Sequence, residues 1–128
     1  MDDFLRGYVE CALWSTNDES TPSGGVPLDS KYGIEDIDPR TLERMRADCE
    51  RFQEENAESL ALYCERVTVT DGSSAESYAG HDFWLTRNHH GAGFWDRGVG
   101  PVGDALTAST DAWGECYLYV GDDGKIHI

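Results

Sequence analysis

The strongest constraint on the fold is an amphipathic segment at residues 39–62. Its apolar residues recur at intervals of three and four, which places them on one face of an α-helix. These residues are Leu42, Met45, Cys49 and Phe52. Asp38 suits the N-cap and Pro39 the first helical position. The segment therefore predicts one long helix with a buried apolar stripe and a charged outer face.

The remaining segments indicate a mixture of helices and strands. Helical spacing predicts helices at residues 2–15 and 102–113, although extended structure at 8–14 is an alternative. Residues 16–33 are rich in Ser, Thr, Asp, Gly and Pro and predict a loop. We expect strands at 63–70, 83–86, 94–95 and 115–120, a hairpin turn at 88–93, and a terminal hairpin through the turn at 121–124.

The chain has 128 residues, of which 39% are hydrophobic, and this is enough for one core. We therefore expect a single acidic domain over residues 1–128. The order of its elements predicts an α+β fold, in which a small antiparallel or mixed sheet has helices packed on one side. Cys11, Cys49 and Cys116 lie in apolar patterns and are predicted to be core residues.

The charge is strongly one-sided. Asp and Glu number 25 against 10 Lys and Arg, which gives a formal charge of −15. This charge opposes direct binding to nucleic acid or anionic lipid and favours a basic protein surface as partner. The alternative is that acidity serves solubility alone. No apolar run of about 20 residues is present, so we expect no membrane span. The N-terminus does not resemble a signal peptide, and we expect a cytoplasmic protein with free thiols, as monomer or homodimer.

The acidic residues from the turn before the long helix to its end form the first candidate site. They are Glu35, Asp36, Asp38, Glu43, Asp48, Glu50, Glu54, Glu55 and Glu58. Arg46–Glu50 and Arg51–Glu55 have the i,i+4 spacing of helical ion pairs. Glu50–Glu54 and Glu54–Glu58 are instead like-charge pairs near the negative end of the helix dipole, which destabilises the helix. This arrangement favours a binding surface, with an ordinary solvated face as the alternative.

The segment 81–97 holds the second candidate site, which would serve a small enzyme or a ligand-binding protein. Its residues are His81, Asp82, Arg87, His89 and Asp96. Such groups do acid–base work or bind anions. Their spacing matches no defined metal motif, so we expect neither a metal nor another cofactor. The alternative is a structural hairpin whose aromatic residues fill the core. A G-x-G-x-x-G match at 98–103 lacks a βαβ unit and predicts turns.

The sequence HDFWLTRNHHGAGFWDR at 81–97, the ending LYVGDDGKI at 118–126 and the start FLRGYVECALWS at 4–15 together resemble one family. It consists of small uncharacterised proteins from bacteriophages and prophages. The resemblance supplies no catalytic residue. It implies a phage accessory protein that acts in the cytoplasm of a bacterial host.

The resemblance and the charge together suggest an inhibitor of host defence. Some small acidic phage proteins occupy nucleic-acid-binding grooves, because carboxylates form charge-assisted hydrogen bonds with the Lys and Arg of such grooves. We therefore expect a non-enzymatic inhibitor of a defence nucleoprotein complex, of the anti-CRISPR type, that binds a basic nucleic-acid site by acidic mimicry. A phage structural module is a further alternative.

Overall fold

The structure is a computed structural model that describes residues 1–20 and 25–128, and helices dominate these residues. The helices are α1 (Asp3–Ser15), α2 (Pro39–Glu55), α3 (Ala57–Arg66), α4 (Ala75–Arg87) and α5 (Pro101–Asp111). The strands are β1 (Asn17–Asp18), β2 (Val26–Pro27), β3 (Tyr119–Val120) and β4 (Ile126–His127). Short 3-10 turns occupy Leu28–Ser30, Ile34–Asp36 and Phe94–Asp96. None of the helices in the described ranges is long and apolar enough to cross a membrane.

The strands form two separate antiparallel pairs. Strand β1 pairs with β2, and β3 pairs with β4, where Tyr119 lies opposite His127. A single parallel bridge between Ile37 and Ile126 connects β4 to the segment before α2. The α+β prediction is thus correct only in its coarse form, since the helices pack on one another and the two strand pairs are too small to serve as a platform. The terminal hairpin is confirmed, although only Tyr119–Val120 of the predicted strand 115–120 pairs.

Helices α1 and α4 pack closely at two glycines. A Cβ atom on Gly7 would lie 1.8 Å from the carbonyl oxygen of Ser77, and one on Gly80 would lie 1.9 Å from the carbonyl oxygen of Phe4. Only glycine permits the two backbones to approach this closely. The contact fixes how the two helices are placed side by side.

Aromatic rings fill the core around this helix pair. The ring of Phe52 from α2 stacks on Phe83 from α4 with centroids 4.1 Å apart, and Tyr8 from α1 lies 5.2 Å from Phe83. Phe94 packs against Phe52 at 5.9 Å. The predicted core cysteines are buried as well, namely Cys11, Cys49 and Cys116. Helix α1 at residues 3–15 confirms the helical interpretation of the N-terminus over the extended one.

The predicted long helix is interrupted at Asn56. The backbone N–H and the Nδ2 of Asn56 both donate to the carbonyl oxygen of Phe52 at 3.0 Å, and the chain then restarts as α3. Glu54 and Glu58 consequently belong to different helices. Glu58 lies in the first turn of α3, where its negative charge interacts favourably with the helix dipole. The prediction of an unfavourable Glu54–Glu58 pair in one helix was therefore wrong.

Three predicted strands and the hairpin at 83–95 were also wrong. Residues 63–66 complete α3, residues 83–86 belong to α4, and residues 94–96 form a 3-10 turn. The end of α4 is buried almost all round, so its apolar residues show no helical period in the sequence. Within the predicted loop 16–33, residues 21–24 lie outside the described residues, and β1, β2 and one 3-10 turn occupy part of the rest.

The turn prediction for the glycine-rich match at 98–103 is correct for Gly98 and Gly100 but wrong for Gly103, which lies in helix α5. Gly98 and Gly100 have φ values of 67° and 73°, which favour glycine. They lead into α5, which begins at Pro101. The helix predicted at 102–113 is confirmed by α5.

Candidate functional site

The carboxylates of the first candidate site run from the 3-10 turn before α2 to the start of α3, and some of them shape the backbone. The Oδ2 of Asp38 caps α2 by accepting from the backbone N–H groups of Arg40 at 3.1 Å and Thr41 at 3.3 Å. The Oδ2 of Asp36 accepts from the N–H of Gly33 at 2.8 Å and closes the preceding turn. Both acids therefore have a structural role.

Three more of these carboxylates pair with arginines on α2. Arg46 lies between Glu43 and Glu50 and contacts both, with 3.2 Å between its Nη1 and the Oε1 of Glu50. The Nε of Arg51 lies 3.5 Å from the Oε1 of Glu55. The predicted pairs Arg46–Glu50 and Arg51–Glu55 are confirmed. The outer face of α2 is consequently a mixture of acids and bases.

Asp48 turns inward to a buried arginine. Its Oδ2 accepts a hydrogen bond of 3.0 Å from the Nη1 of Arg87. The same guanidinium donates to the hydroxyl of Tyr8 at 3.1 Å and to the carbonyl oxygens of Trp113 and Gly114 at 3.2 and 2.9 Å. Asp48 therefore holds the end of α4 in the core.

The carboxylates that remain for an external partner are Glu35, Glu54 and Glu58. All three are exposed, and in the described part of the chain no ion pair involves them. Glu54 lies one turn beyond Glu50 in α2, and Glu58 follows the break at Asn56. Together Glu54 and Glu58 place negative charge at the α2–α3 junction.

The second candidate site does not assemble. Its residues are His81, Asp82, Arg87, His89 and Asp96. Asp82 and Arg87 are buried in separate ion pairs, whereas His89 and Asp96 are exposed. Because residues 81–87 form a helix and not a strand of a hairpin, these side chains point in different directions. Of the group, His81 alone lines the cleft between α1, α4 and the segment after β2.

Asp82 lies at the centre of a buried polar cluster. It accepts hydrogen bonds from the hydroxyl of Tyr63 at 2.5 Å and from the Nη2 and Nε of Arg97 at 2.6 and 3.0 Å. Burial favours its protonated form, but His81, Arg97 and Tyr63 outweigh this effect and lower the pKa of Asp82. The Nδ1 of His81 lies 4.0 Å from the Oδ1 of Asp82, beyond hydrogen-bond distance, so Arg97 and Tyr63 are the direct partners.

A cleft lies where α1 and α4 meet the segment after β2. It encloses about 670 Å³, which is within the range of small-ligand sites. Trp14 from α1 and Tyr78 and His81 from α4 line it on one side, and Tyr32 lines it from the segment after β2. The backbone N–H of Tyr32 donates to the carbonyl oxygen of the buried Leu28 at 2.8 Å, which fixes this segment.

Carboxylates surround the aromatic side chains of the cleft. Glu10, Asp29 and Asp71 are exposed and line it. Hydrogen bonds from the hydroxyl and the backbone N–H of Ser73 lower the pKa of Asp71. Among the described residues that line the cleft, none is a Lys or Arg. An electron-rich aromatic wall with acidic neighbours is suited to a cationic group.

Sequence reasoning missed this cleft, although α1 carries a signal for it. Arg6, Glu10 and Trp14 follow one another at intervals of four residues and, apart from Asp3 at its start, are the exposed positions of α1. A tryptophan in phase with two charged residues belongs to the solvent face.

One group of residues has the composition of a cation site. Ligand atoms of Asp38, Asp123 and His127 lie within 4.8 Å of one another. The Nε2 of His127 lies 3.0 Å from the Oδ1 of Asp123, and Asp38 caps α2. Arg40 and Arg44 line the same surface hollow and disfavour a further cation. These local interactions account for the group without a metal.

No protein-family model matches this chain, and no curated protein or solved structure is significantly similar to it. The resemblance to bacteriophage proteins therefore stays a prediction, as does the class of partner that it implies.

Proposed function

We propose that this protein is a non-catalytic inhibitor that binds the cationic nucleic-acid-binding surface of another protein or complex. Its carboxylates take the place of phosphates there. In the finer form of the proposal, the target is a nucleoprotein complex of bacterial defence, of the CRISPR type. This finer form depends on the resemblance of the segment at 81–97 to bacteriophage proteins.

The observation that carries the proposal is the way in which the basic residues are used. The formal charge is −15. Arg87 and Arg97 are engaged with Asp48 and Asp82 in the interior, and Arg46 and Arg51 are paired along α2. The six Lys and Arg residues outside these ion pairs are outnumbered by 20 further carboxylates, so the surface is strongly anionic. Such a surface attracts and orients a cationic partner.

Glu54 and Glu58 are the best-placed residues for the contact, with Glu35 as a third. Their carboxylates are exposed and form no ion pair with another described residue. A Lys or Arg of the partner can therefore bind them without displacing an Arg or Lys of this protein. Glu55 lies beside them, and its weak ion pair with Arg51 is replaced by a contact with the partner when the complex forms. The side chains of Asp36, Asp38 and Asp48 act through the fold of the region and not through direct contact.

The proposal is tested by affinity capture followed by competition. The tagged protein is used to capture its partner from a bacterial lysate, and the captured partner is then mixed with duplex DNA or RNA of its own specificity. The proposal predicts a nucleic-acid-binding partner from which nucleic acid and this protein displace each other. A partner that binds both at once in a ternary complex, or capture of no nucleic-acid-binding protein, contradicts the proposal.

The defence target is tested separately in cells. Expression of the protein in a bacterium with an active CRISPR system should restore plaque formation by a phage that the system otherwise targets. A strain that lacks the system is the control and should show no change in plaque number. Unchanged immunity, with a nucleic-acid-binding partner still captured, contradicts the CRISPR target and leaves the acidic mimicry in place.

A further inference from the structure

We propose that the cleft between α1, α4 and the segment after β2 binds the side chain of an arginine. The inference extends the proposed function. It rests on that function because the arginine belongs to the proposed basic partner. The cleft is distinct from the acidic residues of the α2–α3 junction. It would hold one residue of the partner while the junction contacts a broader charged surface.

Three rings form a continuous aromatic wall along the junction of α1 and α4. The ring centroids of Trp14 and His81 lie 6.0 Å apart with planes at 30°, and those of His81 and Tyr78 lie 5.8 Å apart with planes at 6°. Trp14 is 56% exposed. The close approach of the helices at Gly7 and Gly80 is what brings rings from two helices into one wall.

The charge of the cleft selects for a cation. Glu10, Asp29 and Asp71 line it, and two basic groups that lie over its tyrosine rings come from outside the lining. The guanidinium of Arg97 lies over the ring of Tyr78 at 4.6 Å and binds Asp82, and the amine of Lys31 lies over Tyr32 at 5.7 Å. An incoming cation thus meets three carboxylates without an opposing base among the lining residues.

The shape of the wall favours a guanidinium over an ammonium. A guanidinium is flat, stacks on an aromatic face and donates two parallel hydrogen bonds to a carboxylate, whereas an ammonium is a compact and strongly hydrated charge. The protein itself uses this contact, because the guanidinium groups of Arg51 and Arg87 lie 5.0 and 5.5 Å from the ring centroid of Trp113. The cleft presents the same combination of ring and carboxylate to the outside.

His81 adds a polar atom to the wall. Its Nδ1 is buried and has no hydrogen-bond partner among the described residues, and it faces Asp82 at 4.0 Å. The Nε2 is therefore the ring nitrogen that a ligand in the cleft can reach. Placed between Trp14 and Tyr78, it provides an acceptor for one guanidinium N–H.

The test uses a short blocked peptide, acetyl-Gly-Arg-Gly-amide, and follows the indole N–H signals of the protein by NMR. We expect saturable shifts of Trp14, weaker binding of the lysine peptide, and loss of binding with citrulline, which has the same shape without the charge. Trp14→Ala and Asp29→Asn should each weaken binding by roughly threefold to thirtyfold. Trp95→Ala is the matched control, because Trp95 is 44% exposed but lies outside the cleft.

Several results would overturn the inference. Equal binding of the arginine and citrulline peptides excludes recognition of charge, and equal binding of the lysine peptide excludes recognition of the guanidinium. If the folded Trp14→Ala and Trp95→Ala variants lose affinity for the arginine peptide equally, the cleft is excluded as its binding site. Failure of the proposed function is separate from these outcomes, since the peptide titration requires no partner and the captured partner can be assayed with the Trp14→Ala variant.

Discussion

The carboxylate of Asp82 and the guanidinium of Arg97 form a two-point ion pair inside the protein. The Nη2 of Arg97 donates to the Oδ1 of Asp82 at 2.6 Å, and its Nε donates to the Oδ2 at 3.0 Å. Asp82 is fully buried on α4, while Arg97 follows the 3-10 turn after it. The pair therefore fastens the irregular segment after α4 onto that helix.

Removal of the charge from Asp82 should destabilise the protein. Asp82→Asn leaves the guanidinium of Arg97 largely buried without its anion, and we expect the free energy of unfolding to fall by about 3 kcal/mol. Urea denaturation followed by circular dichroism measures this change. Asp96→Asn, at an exposed position nearby, is the control and should unfold like the parent protein. Equal stability of the two variants would mean that the ion pair contributes nothing to the fold.

The ion pair between Asp82 and Arg97 also predicts that the free energy of unfolding depends on pH. The pKa of Asp82 is lower in the folded protein than the value of about 3.9 for an unfolded aspartate. Its stabilisation is thus fully present above about pH 4 and is lost as the pH falls through the folded pKa. The difference in unfolding free energy between the parent and Asp82→Asn should be smaller at about pH 3 than at about pH 6, with the decrease beginning near pH 4. A difference that stays constant over this range would argue against an ionised Asp82.

The glycines between α1 and α4 should tolerate no side chain. Gly80→Ala would place a Cβ atom 1.9 Å from the carbonyl oxygen of Phe4, so the helices must separate at a cost of about 2–4 kcal/mol. Gly91→Ala is the matched control, since a Cβ atom there meets nothing within 4 Å. Thermal melts of both variants make the comparison. A melting temperature of Gly80→Ala equal to that of Gly91→Ala would contradict the close helix packing.

Substitutions at Asp48 and at Glu50 should have different effects on the free energy of unfolding, although both residues belong to the predicted acidic surface. Asp48→Asn weakens the hydrogen bond to the buried Arg87, and we expect a loss of about 1–3 kcal/mol in unfolding free energy. Glu50→Gln removes an exposed pair with Arg46 and should leave the unfolding free energy unchanged. Chemical denaturation of the two variants checks the difference. Should Glu50→Gln prove the more destabilising, the assignment of Asp48 to the core is wrong.

The sequence predicted the secondary structure most accurately where only one face of a helix is buried. The stripe through Met45, Cys49 and Phe52 identifies α2 because the opposite face is charged. Helix α4 could not be identified in this way, because residues 82–87 are buried on every side and their aromatic and apolar types are also typical of strands. At the break the side chain of Asn56 donates a hydrogen bond to the carbonyl oxygen of Phe52, and the apolar sequence pattern continues across it without a signal.

The candidate sites illustrate the same limit. The sequence identified the carboxylates on α2 but not that Asp48 would turn inward, since Arg87 is 39 positions away. It grouped His81 with Asp96 by proximity in the chain, whereas the fold places His81 beside Trp14 from α1. The spacing of Arg6, Glu10 and Trp14 was sufficient to predict an exposed tryptophan. The wall that it completes depends on the packing of two helices distant in sequence.

The central claim is that exposed carboxylates at the α2–α3 junction bind a cationic partner. The most direct measurement is the Kd for the captured partner from roughly 0.05 to 0.3 M NaCl, for the parent and for two charge-reversed triples. The first triple is Glu54→Lys, Glu55→Lys and Glu58→Lys, and the matched control reverses the exposed acids Asp104, Asp111 and Asp122. We expect affinity to fall steeply with salt, to be lost in the first triple and to be largely kept in the control. An affinity independent of salt, or a folded first triple that binds and inhibits as well as the parent, would contradict the claim.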